Sequence, residues 1–510
     1  MSSKIVYGKY VVVQPDQYID SGALYIVDDK IADVGTYDYI TSTYTADTVI
    51  GSQDHIVIPA FVNAHSHGKG LTDFQRGQVD DTLETWKFYS YPPVNREYDS
   101  RWAAVKYLEA GITTAMHNHA LSSPELHDRE YEQIIEVYRE SGMKVAFAPT
   151  LTNRNWFVYG DNEAFVASLP EEQQLQCRRI MDRGKIFGAK EYLQAVDRLY
   201  TTYKGEKRVR IMHGPLSPQW VDDDTLKAIA ADAARKDIRT HIHVQQTKLQ
   251  KLYGYKAYGK SLLAHLDDLG FLGPKTTIGH AVWISAEDIQ LLADRGTTTT
   301  HHATCNFRVR NGISPVYDLL QAGVHVGVGL DDKEFGDNKD FIEEMRLISK
   351  LHRLPAHQLD SPHLLPRDVF AMGTLYGAET LGWEKEVGSL EKGKQADIVL
   401  LDARRMTEPF MNSMRSPVEI ILYRASSSDI DTVLSNGEVV VQNGRVTHVD
   451  REEIAARLRE SLPEGYAEEF EKRNASLRRL RPYIAEWFSA WYGEMGFFEG
   501  KPFYHLNNIQ

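Results

Sequence analysis

Residues 56–68 read Ile-Val-Ile-Pro-Ala-Phe-Val-Asn-Ala-His-Ser-His-Gly, an apolar, β-branched run that ends in two histidines spaced i, i+2. In an extended chain this spacing turns the imidazoles of His65 and His67 to the same side, where they can share a metal ion. Comparable strand ends follow downstream: His117 and His119, His213, His241 and His243, His280, His301 and His302, then Asp331 with Asp332. A ring of such residues argues for a metal or proton-transfer site. Taken singly, His117, His213, His301 and His302 read as hydrogen-bonded core or loop histidines. The set supports a narrower assignment, in which His65, His67, His243 and Asp331 ligate one divalent ion. Three neutral nitrogens and one carboxylate leave a charge of about +1 and an open position for water. That water would be acidified toward a pKa of roughly 7. His280 would hydrogen-bond the water or a polarised substrate oxygen, and Asp331 would hold the ion with one oxygen and take the proton with the other.

The elements that position these residues follow from periodicity. Strand candidates ending at or just before polar residues are Val57 to Ala64, Thr113 to His117, Lys144 to Pro149, Val209 to His213, Arg239 to Val244, Thr276 to Gly279, Thr297 to His301 and Val324 to Leu330. They alternate with amphipathic helical stretches such as Arg101 to Ala110, Glu125 to Ser141, Asp222 to Arg235, Ala286 to Arg295 and Pro315 to Gln321. Such alternation specifies an α/β fold, a (β/α)8 TIM-type barrel over 59–384, with chemistry at the C-terminal ends of the strands. Short strands separated by turns fill 1–58 and return over 385–449, so the two ends of the chain are expected to pair as a small β-sandwich. Residues 450–510 read as a C-terminal helical extension with Trp487, Phe488, Trp491, Tyr492, Phe497, Phe498, Phe503 and Tyr504. So many aromatics must dock somewhere. A partner subunit is preferred over the barrel, which makes the chain a homo-oligomer, dimer or tetramer.

Composition narrows the class. At 510 residues, 42% apolar and 25% charged, the chain is a large folded protein. A net charge of −13 without a basic run excludes a nucleic-acid partner. The start has no apolar leader and no stretch nears the ~18 apolar residues of a membrane span, so a cytoplasmic protein with no membrane partner is expected. Two cysteines, Cys177 and Cys305, cannot supply a disulfide framework.

Phe61-Val-Asn-Ala-His65-Ser-His67, His241-Ile-His243, Gly279-His280-Ala281, Thr304-Cys305-Asn306 running to Gly312-Ile-Ser-Pro315, and Gly327-Val-Gly-Leu-Asp331 together resemble the amidohydrolase superfamily. The resemblance is to the branch with cytosine and guanine deaminases, adenosine-type deaminases and triazine hydrolases, and it covers residues 1 to about 449. Val387-Gly-Ser-Leu-Glu-Lys-Gly-Lys-Gln-Ala-Asp-Ile-Val-Leu-Leu-Asp402 is similar to that family's return from barrel to sandwich. The resemblance implies Zn²⁺ or Fe²⁺ and hydrolysis of C–N bonds. The fourth strand end, Ile211-Met212-His213, lacks the lysine that bridges two metals in binuclear members, which implies one ion. Deaminating members carry a proton-shuttling glutamate three residues after the strand 5 histidine, where this chain has Gln246. An amide cannot trade a proton at neutral pH. The expected activity is therefore hydrolysis of an amide, urea, imide or cyclic amide in a small cyclic or aromatic substrate. The alternatives are an aminohydrolase, deaminase or dechlorinase-like, acting on a purine, pyrimidine, pterin or triazine ring with Asp332 or Glu334 as the acid, and a silent scaffold. Candidate substrate contacts are Gln246, Trp86, Asn306 and His119, with Phe74, Phe88 and Tyr89 as further flat surface.

Overall fold

The computed structural model describes residues 2–78, 80–86, 94–121, 127–155, 157–184, 188–333, 336, 338–353 and 363–494. The two ends of the chain form one nine-stranded sheet. Ser3–Gln14 pairs parallel with Thr48–Pro59, and Thr48–Pro59 pairs antiparallel with Ile398–Asp402, which comes from the far side of the barrel. Leu24 and Ile26 share an apolar core with Leu400 and Leu434. The sheet thus folds over a core of its own, as a small β-domain.

The run expected to open the barrel at Val57 divides instead. Residues 57–59 face Leu400, Val399 and Ile398 in the β-domain, and the first barrel strand is only Phe61–Asn63. Proline has no N–H for a ladder, and the chain changes sheets immediately after Pro59. The Ala60 N–H still bonds Asp397 O, while that of Phe61 already bonds Gly111 O in the barrel.

Seven further parallel strands complete the ring: Ile112–His119, Lys144–Leu151, Val209–Ile211, Thr240–Val244, Thr276–His280, Thr298–His301 and Val326–Val328. A bridge from His213 to Thr240 joins the first half to the second. The ring closes where Ala64 N–H donates to Val328 O at 2.8 Å and Asp331 N–H to His65 O at 3.0 Å. Helix boundaries follow capping chemistry. Asp222 caps Asp223–Lys236, and Ser285 with Asp288 forms a capping box on Ala286–Arg295, which Gly296 ends in the left-handed region. Helices Asn162–Ala167, Glu171–Gly184 and Ala189–Tyr203 lie between the third and fourth strands, where none of the helical stretches named from the sequence falls.

Barrel and β-domain are joined by a buried ion pair. Lys144 Nζ lies 2.7 Å from both oxygens of Asp397, which also accepts from Thr113 Oγ1 at 2.6 Å and Asn436 N at 2.9 Å.

The extension forms helices Arg451–Glu460, Tyr466–Arg478 and Arg481–Glu494. They pack on their own chain, which corrects the expected docking on a partner for the described residues. Leu480, Ile484, Phe488 and Trp491, spaced 4, 4 and 3 along one helical face, are buried in the barrel's core. Phe488 meets Tyr159 at 5.3 Å between ring centroids, and Arg481 grips Asp81 with two contacts of 3.0 Å. The side chain of Tyr492 and residues Phe497, Phe498, Phe503 and Tyr504 lie outside the described residues. Among the described residues, no helix is long and apolar enough to cross a membrane.

Candidate metal centre and substrate cavity

Each strand end delivers its residue to the same end of the barrel. One ring nitrogen each from His65, His67 and His243 lies within 4.8 Å of the others. Asp331 Oδ1 is 3.3 Å from His65 Nε2 and 3.2 Å from His67 Nε2, while Oδ2 looks to His280 Nε2 at 3.9 Å and His302 Nδ1 at 4.0 Å. The four expected ligands thus converge. A second group, His65, His280, His302 and Asp331, overlaps them. Gln245, His280, Ala281, Asp331 and Asp332 all have positive φ, so the backbone is strained where the strands end, a feature that concentrates at functional sites.

The nitrogens are prepared for a cation. His67 Nδ1 sits 2.9 Å from Asn118 O and His243 Nδ1 sits 2.7 Å from Leu216 O. A carbonyl only accepts, so each Nδ1 carries the proton and each Nε2 lone pair is left for the site. His65 is fully buried and neither of its ring nitrogens has a hydrogen-bond partner among the described residues. An imidazole buried in that way costs free energy unless something binds it, and a divalent ion with N and O ligands fits. Burial lowers the pKa of His65, His243 and His302, and takes His280 to about 4 against the pull of Asp331, so these rings are neutral near pH 7. Burial alone would raise the pKa of Asp331, but the imidazoles of His65 and His67, 3.3 and 3.2 Å from its Oδ1, hold it well below the usual range.

His65 is stacked between His241 and His302, with centroids at 4.7 and 4.4 Å and both rings inclined by 19°. Gly329 makes this possible, since a Cβ there would stand 2.6 Å from His302 Cδ2 and 2.8 Å from His65 Cβ. His302 is one of the histidines expected as core or loop residues, and the repeated polar strand end at His301-His302 is its signal in the sequence. His213 does behave as a core histidine, between Asp232 at 3.0 Å and Tyr192 at 3.3 Å.

Asp332 differs from its neighbour. It accepts from His67 N at 2.8 Å, Lys69 N at 3.0 Å, Lys339 Nζ at 2.8 Å and the Tyr107 hydroxyl. Its lone pairs are committed to holding the loop that carries His67.

A cavity of about 1030 Å³ opens over the centre, and His67, His243, His280 and Asp331 share its wall with Trp86, His119 and Gln246. Gln246 is buried and its backbone N–H donates to Gln250 Oε1 at 2.7 Å. Lys333 Nζ lies 3.7 Å from the Trp86 ring centroid. His119 has both nitrogens engaged, Nδ1 with His117 at 3.1 Å and Nε2 with Glu130 at 2.8 Å. It braces Glu130 on the cavity wall and keeps no nitrogen for a substrate. Asn306, expected at the substrate, stands behind His280 with its Oδ1 at 3.1 Å from Nδ1. Phe74 is 75% exposed and does not line the cavity. Phe88, Tyr89 and Glu334 lie outside the described residues.

Comparison with known proteins agrees with this architecture. The model of the Amidohydrolase family matches residues 56–440. 5′-Deoxyadenosine deaminase of Methanobrevibacter smithii is 28% identical over 453 residues, 87% of this chain and 93% of that protein. The 5′-deoxyadenosine deaminase of Methanothermobacter thermautotrophicus is 30% identical over 441 residues, 84% of this chain and 91% of its own. An adenosine deaminase from Xanthomonas campestris with bound zinc has the same fold, with a TM-score of 0.75 at 19% identity over 92% of this chain and 99% of that one. Atrazine chlorohydrolase from Arthrobacter aurescens, complexed with zinc, gives a TM-score of 0.75 at 21% identity over 90% and 100% of the two chains. Because the family match runs through the whole barrel and into the strands returning to the β-domain, the chain belongs to the amidohydrolase family and is a hydrolase acting on carbon–nitrogen bonds other than peptide bonds.

Proposed function

We propose that the chain hydrolyses a C–N bond at an already electrophilic carbon of a small cyclic amide, urea or imide, using one zinc-type ion held by His65, His67, His243 and Asp331. The observation that carries this reading is Gln246, an amide on the cavity wall beside His243 where a deaminase needs an acid. The ion, when bound, supplies Lewis acidity that brings the pKa of a water toward about 7. The remaining steps belong to the protein. Asp331 divides its oxygens, Oδ1 toward His65 and His67 and Oδ2 toward His280, so the second oxygen is placed to take the proton of the attacking water. Asn306 Oδ1 accepts from His280 Nδ1–H, which leaves Nε2 as an acceptor for the same water and fixes its direction of attack. Gln246 offers one acceptor and two donors, which match the edge of an amide or urea, and Trp86 offers a flat face to a ring.

A second reading, removal of an exocyclic amine from a purine-like ring, is favoured by the deaminases named above. It needs another acid. Asp332 is committed to four donors, and besides Asp331 the carboxylates on the cavity wall are Glu97, Asp99 and Glu130.

Gln246→Glu and Gln246→Ala separate the two. Under the first reading the Glu variant weakens the native reaction and adds an acidic limb to its pH profile, because one of two close carboxylates has its pKa raised. The Ala variant mainly raises KM. Faster ammonia release from aminated rings by Gln246→Glu, from a wild type that already releases it, would establish the deaminase. Elemental analysis of the purified chain tests the ion, and the reading requires about one per chain.

A further inference from the structure

The cavity wall includes Arg473, which lies on the helix Tyr466–Arg478 of the C-terminal extension and outside the family match at 56–440. The extension reaches the cavity rim directly, since Ser461 Oγ accepts the backbone N–H of Asn95, itself a wall residue, at 3.1 Å.

The charges on the wall do not cancel. Of its acids, Glu97 is held by Arg101 at 2.9 and 3.0 Å, Asp99 by Arg76 and two backbone N–H groups at 2.9 and 3.1 Å, and Glu130 by His119. Asp331 belongs to the metal centre. Of its other bases, Lys333 pairs with Asp73, Arg96 Nη1 lies 3.9 Å from Glu130, and Lys69 Nζ lies 5.5 Å from the Trp86 ring centroid. Arg129 and Arg473 have no hydrogen-bond or ion-pair partner among the described residues. They come from opposite parts of the chain, Arg129 from the helix after the second barrel strand and Arg473 from the extension.

We propose that Arg129 and Arg473 form a subsite at the cavity mouth for an anionic group carried by the substrate, a carboxylate or a phosphate, remote from the bond that is cleaved. The proposal deepens the hydrolase reading and rests on its cavity being the substrate site. Two planar guanidiniums that share a concavity and have no ion-pair partner among the described residues suit bidentate recognition of an oxyanion. Both side chains are solvent-exposed, so the attraction is partly screened and depends on salt. The extension then has a functional role: it supplies half of the specificity site.

Binding by calorimetry to the full-length, metal-loaded chain tests this with matched pairs. The pairs are carboxylated hydantoins, pyrimidinones and triazines against their neutral carboxamides, and adenosine 5′-monophosphate against adenosine. The expected result is that at least one anion binds about tenfold or more tighter than its neutral partner, the scale of one charge-assisted hydrogen bond. The carboxylate and phosphate pairs separate the two sources of charge. Arg473→Ala and Arg129→Ala should each erase most of that preference without shifting the melting temperature, Arg473→Lys should keep part of it, and raising ionic strength from about 0.05 to about 0.3 M should weaken only the anion. Absence of any anion preference in the wild type, or its survival in both alanine variants, overturns the subsite. An anion preference that the variants erase, without cleavage of any ring, would keep the subsite and discard the hydrolase reading. Cleavage of neutral and anionic members with equal affinity would do the reverse.

Discussion

Asparagine at position 332 or 331 should produce two different defects from neighbouring, nearly isosteric changes. Asp332 accepts two backbone N–H groups, the Tyr107 hydroxyl and Lys339, and both members of its ion pair are 1% exposed. An amide presents one acceptor oxygen and an NH2 that only donates, so its NH2 must face at least one of these donors. Lys339 also loses its buried counter-charge. Removing one partner of a buried pair costs about 3–5 kcal/mol, and the lost hydrogen bonds belong to the same network, so they are not added to it. The His67 loop is then less firmly held, which should weaken metal affinity by about 10–100-fold. Asp331→Asn should keep the fold and lower kcat of the loaded enzyme by at least ~10²-fold. Urea unfolding, chelator competition and turnover at saturating metal read the three effects separately. There is also a signature in pH. Burial alone would raise the pKa of Asp332, but Lys339 outweighs it and holds the carboxyl below its ordinary range. Its contribution to stability is complete above the unfolded value near ~4 and is lost as pH falls toward the folded one. The wild type should therefore lose this increment in acid, and Asp332→Asn should have none to lose. Wild-type stability in Asp332→Asn, or an equal fall in loaded kcat for both variants, refutes the division of labour.

Lys144→Met should destabilise the chain by about 3–5 kcal/mol in denaturant titration by leaving Asp397 buried without its cation. The double change Lys144→Met/Asp397→Leu should recover only part, because Thr113 and Asn436 then lose their acceptor. Phe488→Ala should remove about 3–5 kcal/mol of local packing against Tyr159 and release the extension, read as new proteolytic cleavage between residues 450 and 494 while the barrel stays intact.

The candidate ligands were legible in the sequence because the i, i+2 spacing of His65 with His67 and of His241 with His243 turns each pair to one side at a strand end, which the convergence of His65, His67 and His243 matches. Strand number was legible from the alternation of strands with helical stretches, and so were helices such as Asp223–Lys236 and Ala286–Arg295. The change of sheet at Ala60 was hidden because both strands are apolar on either side of one proline. His302 was hidden because its place under His65 depends on a close approach that only Gly329 allows, a property of the assembled ring. The aromatic content of the extension, Phe488 and Trp491 among it, signalled docking, but aromatics do not name the surface that covers them.

The seam at which the barrel closes also sets an order in time. His65 and Asp331 are hydrogen-bonded across it, backbone to backbone, as are Ala64 and Val328. During synthesis the first barrel strand emerges early and cannot be paired on that side until the eighth has left the ribosome. Such long-range pairing is the slow kind. The ligand cluster is thus a late product of folding, and a chain truncated before Asp331 could make most of its strands and helices without ever making the centre.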